Sequence, residues 1–237
     1  MRVVQFAGWS GTGKTTLIEE VIDAAPPGLA IGVIKHLGGV HPFALDPGRD
    51  TTRFYERGAH VVTGIDSAKG VTVLRSDTLF AALDRLSDAG CQLALVEGFK
   101  SEPFARVVIG DLPSDRCLLR NPAAHEVFDA LGRFDEYVSP GGLLRACRER
   151  AGGSGAFECS GTLDVTPALA ADRAALEQLE ARCASAPGVV AAGVHGRVYA
   201  GAGTIVLALI ARDPMDGSAG FAALAAAAGG TTGQRGR

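Results

Sequence analysis

Eight residues near the N-terminus restrict this chain more than any others: Gly8-Trp9-Ser10-Gly11-Thr12-Gly13-Lys14-Thr15. They satisfy G-x-x-x-x-G-K-[ST], a loop whose backbone N–H groups turn inward to cradle phosphate oxygens. The motif carries meaning only between a strand and a helix, and both flanks comply. Val3-Val4-Gln5-Phe6-Ala7 is short, apolar and β-rich, as a buried parallel strand requires. Leu17, Ile18, Val21 and Ile22 recur at helical spacing, with Glu19, Glu20 and Asp23 between them. Gly11 and Gly13 let the backbone curl, and the positive end of the helix dipole adds to the pull on an anion. Lys14 is expected to reach the β- and γ-phosphates, and the Thr15 hydroxyl to ligate Mg²⁺.

Other polar groups stand at the ends of predicted strands. After the break at Pro26-Pro27-Gly28, Leu29 to Ile34 reads as a buried strand that ends in Lys35-His36. In an open parallel sheet that is the edge where ligands bind, although a basic pair there is as readily a solvated strand end. Leu37 to Thr52 has no periodicity and is longer than an ordinary connection; it holds His41, Asp46, Arg49 and Asp50. Asp50 suits the N-cap of a helix that runs to Arg57 and stops at Gly58. His60 to Ile65 and Val71 to Leu74 read as two strands joined at Lys69-Gly70. Asp77 to Asp88 reads as an amphipathic helix capped by Ser76 or Asp77. Cys91 to Val96 is a further buried strand, followed by Glu97-Gly98-Phe99-Lys100. A carboxylate at that position is Walker-B-like and can hold Mg²⁺ or orient an attacking group; a purely structural Glu is the bland alternative. Ala105 to Ile109 is another apolar strand, and short helical pieces are expected over Glu126 to Leu131 and Gly142 to Arg148.

The pattern predicts an α/β fold, a P-loop NTPase-like and mostly parallel sheet with flanking helices over residues 1–150. Ala151-Gly152-Gly153-Ser154-Gly155 is the best linker candidate. Beyond it, a smaller α+β domain is expected over 156–228, with a disordered polar tail at 229–237. Its elements are a helix from Pro167 to Ala184, strands at Gly188 to Tyr199 and Thr204 to Ala211, and a helix from Gly220 to Ala228. A net charge of −3 gives no reason to expect a nucleic-acid partner. No apolar run reaches about 18 residues, so no membrane span is expected. The first strand leaves no room for a signal peptide. Five widely spaced cysteines without a C-x-x-C pair read as free thiols in a reducing cytoplasm. All four lysines (Lys14, Lys35, Lys69 and Lys100) lie in the first 100 residues.

Five motifs in order, GWSGTGKTTL, IGVIKH, DPGRDTTRFYERGA, LALVEGFK and EPFARVVI, resemble the molybdopterin-guanine dinucleotide biosynthesis protein B family. The resemblance spans residue 2 to about residue 111. It implies a P-loop GTP-binding adapter with low GTPase activity, working beside a molybdenum cofactor guanylyltransferase to attach GMP to molybdopterin. By position it implies that Gly8, Ser10, Gly11, Thr12, Gly13, Lys14, Thr15 and Thr16 hold the phosphates. Lys35, His36, Arg49, Asp50 and Gly98 would join them, Lys14 and Glu97 would act in catalysis, and Thr15 and Glu97 would ligate Mg²⁺. It also implies a homodimer, and molybdopterin or its guanine dinucleotide as the second ligand. His41 falls in a histidine-containing loop of the family, but the two-histidine pattern is not matched here. GTP over ATP rests on the resemblance alone, since no N-K-x-D motif is present.

The stretch GVVAAGVHGRVY followed by TIVLALIARDPMDGSAGFAALA is similar to the large subunit of molybdopterin synthase. That enzyme relies on lysines this region lacks, which implies a degenerate, non-catalytic version used in dimerisation or docking. Two further function classes stay open on the residues alone. One is a P-loop kinase acting on a small molecule, and the other is an interaction module with a vestigial nucleotide site.

Overall fold

The computed structural model describes residues 1–37, 45–75, 77–199 and 201–227. Strand β1 (Arg2–Gly8) runs through the middle of the larger sheet, and six of its seven residues are buried. A strand with neighbours on both edges and helices on both faces is a nearly continuous apolar run, here broken by Gln5. The order is β2 (Ile31–Lys35), β5 (Leu93–Glu97), β1, β6 (Arg106–Ile109) and β7 (Cys117–Arg120), all parallel. A two-residue strand, β8 (Asp135–Glu136), pairs antiparallel with the start of β1.

Alternate side chains of β1 serve opposite layers, as strand geometry dictates. Val4 and Phe6 meet Leu17, Ile18 and Val21 of α1 (Lys14–Asp23) and Val127 of α4 (Ala124–Asp129). Val3 faces Leu79 and Leu83 of α3 (Leu79–Asp88), together with Phe104 and Tyr137. Complete burial of side chains of this kind is worth about 2 kcal/mol each.

Several local expectations are corrected. Helix α3 is capped by Thr78, whose hydroxyl accepts from Ala81 N at 3.1 Å, rather than by Asp77; Ser76 lies outside the described residues. Asp50 is the first residue of α2 (Asp50–Glu56), not its cap, a place where the helix dipole favours a carboxylate. Strands β3 (Val61–Ile65) and β4 (Gly70–Leu74) form the expected hairpin, and Asp66 closes its turn. Asp66 Oδ1 accepts from Ala68 N at 2.7 Å and Lys69 N at 2.8 Å, which holds its carboxyl below the usual range. Strands β7 and β8 were not anticipated, because each is too short to show a period.

The second sheet is antiparallel, with β11 (Ala202–Ala211) between β10 (Val189–Tyr199) and an unanticipated β9 (Phe157–Val165). The expected single helix is two, α6 (Pro167–Ala171) and α7 (Arg173–Ala184). They part at Asp172, whose carboxylate caps α7 by accepting from Ala175 N at 3.0 Å. Helix α8 (Pro214–Ala227) starts well before Gly220, with Asp213 Oδ1 accepting from Asp216 N at 2.9 Å. The tail expected at 229–237 lies outside the described residues.

Helix α5 (Pro140–Ala151) sits where the first domain was expected to end, yet it covers one face of the second sheet. Cys147 is fully buried there against Ala191, Ala208 and Ile210. The apolar contacts of α5 are thus with the second sheet, while Ser139 at its start donates to Asp88 of α3. The two sheets meet through aromatic rings: Phe80, Phe104 and Tyr137 cluster with Tyr199 of β10, Phe80 and Tyr199 having centroids 5.1 Å apart. Arg197 lies over the Tyr137 ring at 4.3 Å and donates to its hydroxyl at 3.1 Å and to Val138 O. It also pairs with Asp84 at 3.5 Å.

Candidate functional site

Gly8, Lys35 and Glu97 end three adjacent parallel strands, which brings the glycine loop, a lysine and a carboxylate to one sheet edge. Glu97 is in register with Phe6 on one side and Lys35 on the other. The loop turns into α1 at Gly13, whose φ of 90° lies in the left-handed region that an L side chain resists. Lys14 Nζ donates to Trp9 O at 2.6 Å, so the lysine arches back over its own loop. The Thr12 hydroxyl donates to the same carbonyl at 2.9 Å.

Thr15 Oγ1 stands 3.2 Å from Glu97 Oε2; Lys35 Nζ is 3.1 Å from that carboxylate oxygen and 3.4 Å from the hydroxyl. The ammonium thus rests beside two oxygens of the kind that hold a hard divalent cation. Mg²⁺ takes one or two protein oxygens and completes its shell with water and phosphate, so Thr15 and Glu97 fit it. Among the described residues no cluster of three or more His, Cys, Asp or Glu side chains forms a protein-only cage.

The wall opposite the glycine loop is the turn after Glu97. His36 N donates to Glu97 O at 2.9 Å, and Gly98 N donates to Phe6 O at 3.1 Å. Gly98 has φ 94°, and a Cβ there would lie 2.8 Å from His36 Cβ. Phe99 adopts φ 51°, a strained value for an aromatic residue, and stacks on His36 with centroids 4.6 Å apart.

Two buried polar residues maintain that strained backbone. Gln5 Nε2 donates to Gly98 O at 2.8 Å and Phe99 O at 2.5 Å. Arg106 donates to Lys100 O at 3.0 Å, Glu102 O at 2.7 Å and Phe104 O at 3.4 Å. Burial lowers the Arg106 pKa from its ordinary value, and a guanidinium stays charged at neutral pH nonetheless. Lys100 then lies over the exposed ring of Trp9 at 4.9 Å, and Trp9 Nε1 donates to Asp111 Oδ1 at 3.1 Å. Gln5, Arg106 and Trp9 escaped the sequence reading. The one available signal was a polar residue inside each of two strands buried on both faces, Gln5 in β1 and Arg106 in β6.

The resulting cleft of about 1010 Å³ is lined by Gly8, Ser10, Gly11, Gly13, Lys14, Thr15 and Thr16 of the loop, facing Lys35, His36, Glu97, Gly98 and Lys100. Thr12 supports the loop from behind through Trp9 O. Arg49 and Asp50 are not brought into this lining: Arg49 pairs with Asp46 at 3.0 Å and Asp50 with Arg53 at 3.3 Å, beside the β3–β4 hairpin. His41 lies outside the described residues.

A glycine loop joining a central parallel strand to a helix, with a carboxylate ending the adjacent strand, defines a P-loop NTPase-like domain. The family model described as Molybdopterin guanine dinucleotide synthesis protein B, MobB, matches residues 3–121, and the chain belongs to that family. A probable molybdopterin-guanine dinucleotide biosynthesis adapter protein of Bacillus subtilis is 37% identical over 112 residues, 45% of this chain and 64% of the relative. The adapter protein of that name from Escherichia coli is 34% identical over 115 residues, again 45% of this chain and 64% of the relative. The chain therefore spans somewhat less than two thirds of the length of these relatives. The crystal structure of Bacillus subtilis MobB aligns at 26% identity with a TM-score of 0.42, covering 59% of this chain and 77% of that one.

Proposed function

We propose that the chain is a GTP-binding accessory protein of molybdenum cofactor biosynthesis with weak, Mg²⁺-dependent GTP hydrolysis. The observation that carries this reading is the convergence of Lys14, Thr15, Lys35 and Glu97 on one cleft in a chain of this family. Loop N–H groups and Lys14 would hold the β- and γ-phosphates, and Thr15 and Glu97 would hold Mg²⁺, which neutralises charge on the phosphates when bound. The lining supplies lysines but, among the described residues, no arginine to act as a finger, which supports slow turnover. Molybdopterin or its guanine dinucleotide is the proposed second ligand. The proposed partners are a molybdenum cofactor guanylyltransferase and a second copy of this chain, in the cytoplasm. The C-terminal unit is proposed to be non-catalytic, serving to dock or dimerise. Arg197, an arginine of the stretch similar to molybdopterin synthase, has a side chain only 9% exposed and is spent on Tyr137, Val138 and Asp84.

Calorimetry with GTP and with ATP, each with Mg²⁺, tests the assignment. GTP binding in the micromolar range with turnover below about one per minute supports an adapter, since efficient enzymes of this chemistry run at about 1–100 s⁻¹. Rapid turnover only with a small-molecule acceptor would make the protein a kinase, and the absence of any nucleotide binding would make the loop vestigial.

A further inference from the structure

Lys35 is the side chain of the cleft whose position is least explained by phosphate binding alone. It ends an edge strand, β2, in register with Glu97, and its ammonium points at the carboxylate and at the Thr15 hydroxyl beside it. Thr15 Oγ1, Glu97 Oε2 and Lys35 Nζ form a nearly equilateral triangle with sides of 3.1, 3.2 and 3.4 Å. Two of those atoms are the oxygens that fit a divalent cation, and the third is a positive charge bonded to both. Glu97 is well covered, its side chain 13% exposed, whereas that of Lys35 is 46% exposed and has room to swing. A carboxylate so enclosed is costly without a counter-charge, and a cation in contact offsets that cost. An ammonium and a divalent ion cannot both occupy contact positions on the same pair of oxygens without strong repulsion.

We propose that Lys35 is the displaceable counter-ion of the metal site: its ammonium neutralises Glu97 until a divalent cation arrives and evicts it. The inference deepens the proposed nucleotide site and rests on that reading. Once evicted, Lys35 remains on the rim of a cleft whose remaining anion is the bound phosphate. The exchange is of partners only, with no bond made or broken covalently: Lys35 gives up carboxylate as the cation takes it, and gains phosphate. Metal and phosphate binding are thereby linked through one lysine, and nucleotide without metal competes with Glu97 for it.

The proposal predicts opposite signs for one substitution. In Lys35→Met, Mn²⁺ alone, titrated into nucleotide-free protein and followed by electron paramagnetic resonance, binds about two- to fivefold tighter than in the parent protein, the scale of one removed ion pair at a half-exposed site. GTP in excess EDTA, measured by calorimetry, binds about tenfold weaker for want of the ammonium. Glu97→Gln loses Mn²⁺ binding yet holds metal-free GTP at least as tightly as the parent, because Lys35 is released. Mn²⁺ affinity that is unchanged, lower or undetectable in Lys35→Met overturns the proposal. Lys35→Gln gives the same readout if the Met variant does not fold. The Mn²⁺ titration needs no nucleotide. Absence of GTP binding in the parent protein therefore sinks the nucleotide reading without touching this measurement.

Discussion

Lys35 Nζ and Glu97 Oε2 are 3.1 Å apart across the β2–β5 pair, so the cleft contains its own neutralised carboxylate before any ligand arrives. Lys14 is likewise engaged, with its ammonium on Trp9 O. On the proposed nucleotide reading, both lysines change partners when phosphate enters, and that exchange sets what substitutions should do.

Lys14→Ala should lower GTP affinity by at least about a hundredfold, since it removes a charge-assisted contact to phosphate. The fold should persist, with Tm within about 2 °C of the parent, because the lysine sits in the open cleft and not in the core. Calorimetry and a thermal melt suffice. Retained GTP affinity would refute the phosphate-loop assignment.

Arg106→Met should cost about 3 kcal/mol in urea unfolding. It strips the donors from the carbonyls of Lys100, Glu102 and Phe104 in a buried setting. GTP affinity should fall as well, because the turn carrying Lys100 loses its clamp. A stability change under about 0.5 kcal/mol would show that the clamp is dispensable.

Gly98→Ala and Gly153→Ala separate two effects. Both glycines have positive φ, 94° and 83°, but a Cβ at Gly98 would meet His36 Cβ at 2.8 Å while one at Gly153 meets nothing within 4 Å. Each should lose about 1 kcal/mol from backbone conformation, and only Gly98→Ala should lose more through the clash. Equal denaturation midpoints for the two variants would mean that the His36 contact yields freely.

His195 should make stability fall in mild acid. Burial, reinforced by Arg197 and opposed by Glu136, holds its pKa below the ordinary value of 6.5. The unfolded chain therefore takes up the proton first as pH drops through 6.5, and stability declines until the folded pKa is passed. From about one pH unit above 6.5 the residue is neutral in both states and contributes no pH dependence. Thermal melts from pH 8 to pH 5 should show this loss, and His195→Gln should flatten part of it.

The glycine loop and the strand ends were legible because their signals are local. Gly8 to Thr15 needs only its own flanks, and Lys35 and Glu97 are placed by a short apolar run ending in charge. Gln5 and Arg106 were hidden for the opposite reason. Gln5 interrupts an apolar strand and Arg106 opens one, and only the tertiary arrangement shows which carbonyls they serve. Of α5, the helical piece over Gly142 to Arg148 was legible, and the sheet it packs on was not. Its sequence, PGGLLRACRERA, begins with two glycines after the proline and is followed by more, which gives it the look of a frayed end. What buries its Cys147 is the second sheet, to which local periodicity is blind.

That helix also decides where the chain can be parted. A gene fragment stopped at the glycines after Ala151 would leave Leu143, Leu144 and Cys147 facing water and strip the cover from Ala191, Ala208 and Ile210. Protease nicking at the flexible-looking stretch should for the same reason yield fragments that stay associated. In any shuffling of these segments between genes, a crossover ahead of Ser139 keeps α5 on the sheet it covers, which one at the glycines does not.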